Sequence, residues 1–263
     1  MSTEPRPCAP GSVHRDTLLQ RFDALLEPAR FRDYGPNGLQ VEGRSTVRRI
    51  VSGVTASRAL IEAAIANDAD AIFVHHGLFW RGQDGRVTGW LKQRLALLLG
   101  HDINLYAYHL PLDAHPTLGN NAQLAARLGW EAQARFGEQE LGFLGRWAAD
   151  RAPMNAAALV RHIESTLNRP CSSVIASEDA IEKLAWCSGG AQGYFEAAIA
   201  AGAQVFVTGE MSEPQAHLAR ECGVSFIACG HHASERYGAP ALAAAVAAEF
   251  GLEHRFIDID NPA

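Results

Sequence analysis

The chain has 263 residues, of which 48% are hydrophobic and 20% are charged, and its formal net charge is −6. This composition is typical of a folded globular protein and excludes a disordered one, while the acidic balance argues against nucleic-acid binding. No apolar run approaches the roughly 18 residues of a membrane-spanning helix, and the first residues lack a hydrophobic signal core, so we expect a cytoplasmic protein.

Segments with strand and helix character alternate along the chain. In chain order, the first half predicts a strand at 47–54, a helix at 57–67, a strand at 71–74, a helix at 90–99, a strand at 103–107 and a helix at 121–128. The second half predicts a strand at 184–187, a helix at 194–200, a strand at 205–207, a helix at 213–221, a strand at 224–228, a helix at 235–250 and a strand at 254–257. Short apolar strands alternating with helices predict an α/β fold with mostly parallel sheets covered on both faces.

The middle of the chain interrupts this regular pattern. Residues 135–182 are less regular, and the shift in composition at 130–137 is the best candidate for a domain boundary.

The cysteines are odd in number and include no Cys-x-x-Cys pair, which favours a reducing compartment over a disulfide framework. The five are Cys8, Cys171, Cys187, Cys222 and Cys229. We interpret all but Cys8, which lies in a predicted tail, as small buried hydrophobic residues.

Six of the eleven histidines fall in three clusters, each directly after a predicted strand. The first is His75-His76-Gly77. Adjacent strand residues point to opposite faces, so both histidines can serve one site only where the strand ends, and Gly77 permits such a turn. Taken alone, one buried and one exposed histidine is the more common arrangement.

The second cluster runs from His109 to His115. Pro111 argues against a regular helix, so we predict a loop at a strand end. Asp113 offers a carboxylate for a divalent ion, and His109 is a candidate ligand, general acid/base or supporting group. The alternative is a turn-forming aspartate with two surface histidines.

The third cluster is Gly230-His231-His232-Ala233-Ser234-Glu235. Helical residues four apart share a face, so His231 and Glu235 can converge, and His232, three residues from Glu235, is equally allowed. The alternative is a first helical turn whose polar groups only cap the helix.

Together the clusters predict a metal centre. Mixed imidazole and carboxylate ligands suit zinc, iron, manganese, nickel or cobalt rather than calcium. The donors exceed what one catalytic zinc ion needs, which favours two divalent ions sharing a carboxylate and activating water.

Two further segments follow predicted strands. The amides of the Gly-rich segment 188–193 could hold an anion, although a tight strand-to-helix turn is the preferred interpretation. Glu210, in the segment Thr208-Gly209-Glu210, can point into a site at the strand end.

Several segments, in order, resemble one known family. They are Tyr-Gly-Pro-Asn-Gly-Leu-Gln-Val-Glu-Gly at 34–43, Val-His-His-Gly at 74–77, His-Leu-Pro-Leu-Asp-Ala-His at 109–115, Gly-Asn-Asn-Ala at 119–122, Thr-Gly-Glu at 208–210 and Gly-His-His-Ala-Ser-Glu-Arg at 230–236. The chain resembles the Nif-three-like dinuclear-metal proteins, often called GTP cyclohydrolase type-two homologues. The similarity runs from about residue 18 to the end and is weakest between residues 130 and 182.

The resemblance implies two interlocked α/β/α domains, a metal site in the cleft between them and a hexameric ring. We expect residues 1–133 and 240–263 to form the first domain and residues 134–239 to form an inserted second one. The resemblance also implies a ligand set, selects His231 over His232, and places His109 close to the metals. The implied ligands are His75, His76, Asp113, His231 and Glu235.

The expected function is hydrolysis of a small substrate, with ring opening of a purine nucleotide suggested by the family label. His109 and Glu210 are the predicted proton-transfer groups. The alternative is a non-catalytic metal-binding ring that buffers metal or regulates a partner. A ring around nucleic acid is disfavoured by the net charge.

Overall fold

In a computed structural model, the structure describes residues 11–263, so the prediction for Cys8 lies outside the described residues. The elements up to residue 128 are β1 (Val13–His14), α1 (Arg15–Leu26), β2 (Gly38–Val41), β3 (Thr46–Val47), β4 (Arg49–Thr55), α2 (Arg58–Ala66), β5 (Ala71–His76), α3 (Gly89–Gly100), β6 (Asn104–Ala107), α4 (Leu110–Ala114) and α5 (Asn120–Leu128). The elements that follow are β7 (Trp130–Phe136), β8 (Gly142–Trp147), α6 (Ala156–Leu167), β9 (Ser172–Val174), β10 (Leu184–Trp186), α7 (Phe195–Ala200), β11 (Val205–Thr208), α8 (Glu213–Cys222), β12 (Ser225–Ala228), α9 (His231–Glu235), α10 (Gly238–Phe250) and β13 (Glu253–Phe256). Among these helices, none is long and apolar enough to cross a bilayer.

The chain divides into two compact units. The first comprises the described residues up to Leu112 together with Ala239–Asp260, and the second comprises Asp113–Gly238 and Asn261–Ala263. The division predicted at 133/134 instead falls inside β7, which pairs along its length with β8. The structure therefore assigns α5 and all of β7 to the second unit, because strand pairing, and not local composition, decides where a compact unit ends.

The first unit contains a five-stranded sheet in the order β13-β4-β5-β6-β2. Strands β13, β4, β5 and β6 are parallel, and β2 runs antiparallel to β6. A separate two-stranded antiparallel sheet joins β1 to β3. The prediction of a mostly parallel sheet is confirmed for this unit.

Both faces of this sheet are covered by helices. On one face, Ile72 and Val74 of β5 pack in a buried cluster with Leu60 of α2. On the other, Phe73 meets Phe22 of α1, with ring centroids 4.6 Å apart. Successive strand side chains point to opposite faces, so a strand covered on both sides is apolar at every position.

The second unit contains a six-stranded sheet in the order β7-β8-β10-β11-β12-β9. Here β10, β11 and β12 are parallel, whereas the other three pairings are antiparallel. The prediction of mostly parallel sheets was wrong for this unit. The antiparallel strands come from residues 130–174, where no strands were predicted, and they extend a parallel centre at both edges.

This sheet is also covered on both faces. Ile163 of α6 and Leu124 of α5 pack in the buried cluster that contains Ile227 of β12. On the opposite face, Phe195 of α7 meets Phe226 of β12 edge-on, with ring centroids 4.9 Å apart.

Two helix predictions need correction. The helix predicted over 235–250 begins later, at Gly238, since Glu235 is the last residue of the separate short helix α9. The loop predicted around Pro111 is the short helix α4. Proline lacks only an N–H that the first helical turn leaves unused, so Pro111 near the start of α4 is tolerated.

Candidate metal centre

Three histidines converge in the first unit where two parallel strands end. His75 and His76 are the last residues of β5, and His109 follows β6. The ring centroid of His75 lies 4.5 Å from that of His76 and 4.9 Å from that of His109. One ring nitrogen from each residue lies within 4.8 Å of the other two. The clustering predicted from the histidine pair at the strand end is therefore present.

The backbone fixes the orientation of His75. Its side chain is fully buried, and Nδ1 lies 3.1 Å from the carbonyl oxygen of Tyr108. A carbonyl only accepts, so Nδ1 carries the hydrogen and the lone pair of the ring is on Nε2. This is the arrangement that a metal-binding imidazole requires. Nδ1 of His76 lies 3.1 Å from the hydroxyl of Thr55 on the neighbouring strand β4.

Asp33 orients His109 in the same way. Its Oδ1 lies 2.7 Å from Nδ1 of His109, and Oδ2 accepts hydrogen bonds from Asn37 Nδ2 at 2.9 Å and from the Leu110 amide at 2.9 Å. Burial alone would raise the pKa of Asp33, but the hydrogen bond and charge of His109, with the hydrogen bond from Asn37, lower it below its usual value. Asp33 is therefore a carboxylate that holds Nδ1–H and directs Nε2 of His109 outward.

A small pocket adjoins these histidines within the first unit. Its lining includes His75, His109, Gln40 and Trp80. The Trp80 ring meets His109 edge-on at 5.0 Å. Sequence reasoning missed Asp33 and Trp80. The available signal for Asp33 was its position directly before the family segment that begins at Tyr34.

The second unit gathers carboxylates around His231. Nε2 of His231 lies 3.1 Å from Glu235 Oε2, one turn along α9, and Nδ1 lies 2.6 Å from Glu210 Oε1. Burial alone would lower the pKa of His231, but the hydrogen bonds and charges of Glu235 and Glu210 raise it to about 9. The buried Glu235 and the exposed Glu210 thus create a site that favours positive charge.

Asp113 is the other buried carboxylate of this unit. Its Oδ1 accepts hydrogen bonds from Asn120 Nδ2 at 2.9 Å and from the Ser188 hydroxyl at 3.2 Å. Burial, then the charges of Asp113 and Glu235, raise the pKa of the Cys187 thiol. The carboxylates of Asp113 and Glu235 therefore both lie close enough to the buried Cys187 thiol to affect its pKa.

The Gly-rich segment 188–193 packs tightly against this group. A Cβ on Gly189 would overlap the carboxylate of Glu235. The amides of Ser188 and Gly189 donate to Asn121 Oδ1 at 2.8 Å and to Ser234 Oγ at 2.9 Å. These two amides are hydrogen-bonded within the protein and not to an anion, which agrees with the interpretation of the segment as a tight turn.

Two histidines of the predicted clusters serve other purposes. Nδ1 of His115 accepts from the amides of Thr117 at 3.3 Å and Leu118 at 3.0 Å, and so stabilises a turn. His232 is buried, and its amide donates to the carbonyl of Ala263.

The donors in both units suit a borderline divalent metal. The first unit offers imidazole nitrogens, one of them with its tautomer set by a carbonyl. The second offers one imidazole and two buried carboxylates. This mixture of ring nitrogen and carboxylate oxygen fits zinc, iron, manganese, nickel or cobalt.

Comparison with known proteins decides the family. The family model Duf34/NIF3 (NGG1p interacting factor 3) matches residues 13–262. The chain belongs to this family. It is 54% identical over 251 residues to a protein of Neisseria meningitidis serogroup A, covering 95% of this chain and 100% of that protein. It is 52% identical over 255 residues to a protein of Pseudomonas aeruginosa, covering 96% and 100%. Both relatives are named GTP cyclohydrolase 1 type 2 homolog.

Two solved structures share the fold. The protein ybgI, described as of unknown function, matches with a TM-score of 0.91 at 44% identity, covering 95% of this chain and 100% of that one. A protein from Thermus thermophilus matches with a TM-score of 0.86 at 34% identity, covering 95% and 100%. These matches confirm the family and the α/β fold predicted from the sequence.

Proposed function

We propose that this Duf34/NIF3 protein is a dinuclear metal-dependent hydrolase of small substrates. The proposed ligands are His75 and His76 of the first unit and Asp113, His231 and Glu235 of the second. The observation that carries the proposal is the His75–His76–His109 group, whose ring nitrogens lie within 4.8 Å of one another. Two imidazoles so close together, one oriented by a carbonyl, are typical metal ligands, and the third, His109, is near enough to serve the same site without being a ligand.

Bound divalent ions would supply Lewis-acid polarisation of an electrophilic substrate and activation of water. The protein's own contribution is proton transfer. Hydrolysis needs one group to remove a proton from the attacking water and another to deliver one to the leaving atom. We assign these roles to Nε2 of His109, held in place through Asp33, and to the carboxylate of Glu210, which is exposed and hydrogen-bonded to His231.

The names of the curated relatives support the first substrate class to test. In a ring opening of the GTP cyclohydrolase kind, water adds to a ring carbon of the purine and a ring carbon–nitrogen bond breaks. The departing ring nitrogen takes up the proton that the attacking water has released. Metal ions and two proton-transfer groups are sufficient components for this reaction.

The test combines metal analysis with hydrolysis assays. Wild-type protein, Asp113→Asn and Glu235→Gln would be compared for metal content and for hydrolysis of GTP, other nucleotides, phosphoesters and amides. Glu213→Gln is a matched control, because Glu213 also lies four residues from a histidine, His217 at 2.9 Å, but both side chains are exposed.

We expect about two metal ions per wild-type chain, and metal affinity lowered by at least roughly tenfold in both ligand variants. Hydrolysis should fall in parallel, and Glu213→Gln should behave as wild type. Metal binding without hydrolysis of any substrate would contradict the proposed hydrolase and favour the alternative, a non-catalytic metal-binding protein. Wild-type protein that binds no divalent metal would overturn both.

We further propose that the protein is cytoplasmic, which the free cysteines support. We also propose that it is a homohexamer, which the family resemblance supports. Light scattering on the purified protein measures its mass directly. A mass of six chains is expected, and a stable monomer or dimer would contradict it.

A further inference from the structure

Two cysteines flank the paired strands β9 and β12 at one edge of the second unit's sheet. Strand β12 pairs with β9 in antiparallel register, with Phe226 opposite Val174, Ile227 opposite Ser173 and Ala228 opposite Ser172. Cys171 directly precedes β9 and Cys229 directly follows β12, so continuing the same register by one residue sets Cys229 opposite Cys171. The two are 58 positions apart in the chain (229 − 171), so nothing in their spacing indicates a pair.

The backbone hydrogen bonds identify the kind of pair. The Cys229 amide donates to Thr208 of β11 at 2.8 Å, on the side of β12 away from β9. The Cys171 amide donates to Glu164 Oε1 at 2.9 Å. Neither amide bonds the facing cysteine, so the two occupy a non-hydrogen-bonded position. Such pairs have Cα atoms about 4.5 Å apart, within the range of about 4.4–6.8 Å that a disulfide spans.

Packing places both side chains on one face. Cys229 is fully buried in the cluster that contains Ile227, and the half-buried Cys171 packs against the same cluster. Directly opposite residues share a face of the sheet, which agrees with these contacts. Burial raises the pKa of the Cys171 thiol to about 12.

We propose that Cys171 and Cys229 are an oxidisable thiol pair that closes to a disulfide when the folded protein meets a peroxide. With hydrogen peroxide as the oxidant, the sulfur of Cys171, the more exposed residue, attacks one peroxide oxygen and the O–O bond breaks. The sulfur keeps that oxygen as a sulfenic acid, and the other oxygen leaves as water with the proton that the thiol has lost. The sulfur of Cys229 then attacks the sulfenic sulfur, the S–S bond forms, and a second water leaves with the hydroxyl and the Cys229 proton. Because only the thiolate is strongly nucleophilic, the first step is slow.

The other described cysteines lack this arrangement. Cys187 follows β10, and the register of β10 with β8 places Gly142 opposite it. Cys222 is exposed at the end of α8, so its interpretation as a buried residue was wrong. Among the described cysteines, only Cys171 and Cys229 are therefore placed to form a disulfide. The position of this pair matters for the proposed metal site, because Cys229 lies two residues before His231. The inference is independent of any hydrolytic activity.

The experiment maps disulfides in the oxidised native protein. Reduced full-length protein would be treated with hydrogen peroxide, freed of peroxide, denatured in acid, alkylated and digested without reductant. Mass spectrometry should find the Cys171 peptide joined to the Cys229 peptide, with a loss of two hydrogen atoms and of two free thiols per chain. The link should be absent in Cys171→Ser and retained in Cys222→Ser.

Two outcomes would overturn the proposal. One is alkylation of both thiols after peroxide has oxidised the exposed Cys222. The other is oxidation of Cys171 to sulfinic acid with Cys229 still a free thiol. Both are read from the wild-type protein, so the decision does not depend on whether a variant folds.

Discussion

Gly189 is a position at which one methyl group should disrupt the carboxylate site of the second unit. Its φ is +69°, and an added Cβ would overlap Glu235 and lie 3.2 Å from Nε2 of His231. The left-handed backbone alone costs a residue with a side chain about 1–2 kcal/mol. We predict that Gly189→Ala lowers metal affinity by more than about tenfold, as loss of a group supporting a ligand does. Titration against a competing chelator measures the change.

Gly193→Ala is the matched control in the same segment. Nothing lies within 4 Å of the position that its Cβ would take, and its φ is outside the left-handed region. Metal binding should be unchanged in this variant. Equal affinities for the two alanine variants would show that Glu235 does not bind metal in the geometry described.

Asp33 is a residue whose loss should lower the stability of the fold, because four groups donate hydrogen bonds to its carboxylate. Besides His109, Asn37 and Leu110, these include the Tyr34 amide at 2.6 Å. We predict that Asp33→Ala lowers the free energy of unfolding by about 1–3 kcal/mol, since several partly buried donors lose their acceptor. Urea denaturation measures it. Asp16→Ala, at a side chain 58% exposed, should change little, and equal losses would count against the role of Asp33.

At this scale, residue type predicted the donors but not their partners. Histidines placed directly after predicted strands were sufficient to indicate that His75, His76 and His109 lie close together, as the structure shows. Asp33 lies 76 positions from His109, and the carbonyl that orients His75 belongs to Tyr108, 33 positions away. Contacts over such separations depend on which strands become neighbours, which a local pattern does not encode.

At the scale of elements, α6 depends on its first residue. Asn155 precedes the helix, and its side chain accepts from the Ala158 amide at 2.9 Å. An unused amide in the first turn costs about 0.5–2 kcal/mol, so Asn155→Ala should lower the free energy of unfolding by about 1 kcal/mol. Asn155→Asp keeps an acceptor and should be neutral. Chemical denaturation of both variants checks this, and a neutral alanine variant would exclude the cap as a source of stability.

A strand buried on both faces and a helix with one buried face were predicted accurately. The strand predicted at 71–74 corresponds to β5, and the helix predicted at 57–67 corresponds to α2 with Ser57 as its cap. In contrast, β7 is buried only at Trp130 and Phe136, with an exposed centre. Its pattern carries neither a continuous apolar run nor a clean alternation. Edge strands of this kind form because a neighbouring strand supplies hydrogen bonds, not because of their own hydrophobicity.

At the scale of the whole molecule, the prediction of two α/β units agreed with the structure, but the boundary did not. The chain passes from the first unit to the second between Leu112 and Asp113, inside the short helix α4. No change in composition marks that point. The predicted boundary near residue 133 instead reflects the polar, exposed centre of β7. Composition reports local exposure, whereas a domain is defined by packing.

Metal removal tests the proposed ligand set across both units. A metal that binds only the folded state stabilises it by about 2.7 kcal/mol when its concentration is roughly 100 times the dissociation constant. Treatment with a chelator should therefore lower the Tm of wild-type protein, and added divalent metal should restore it. Because the proposed ligands come from both units, His76→Ala in the first and Glu235→Gln in the second should each remove most of this metal-dependent gain. Glu213→Gln should keep it. A gain that survives in both ligand variants would place the bound metal elsewhere.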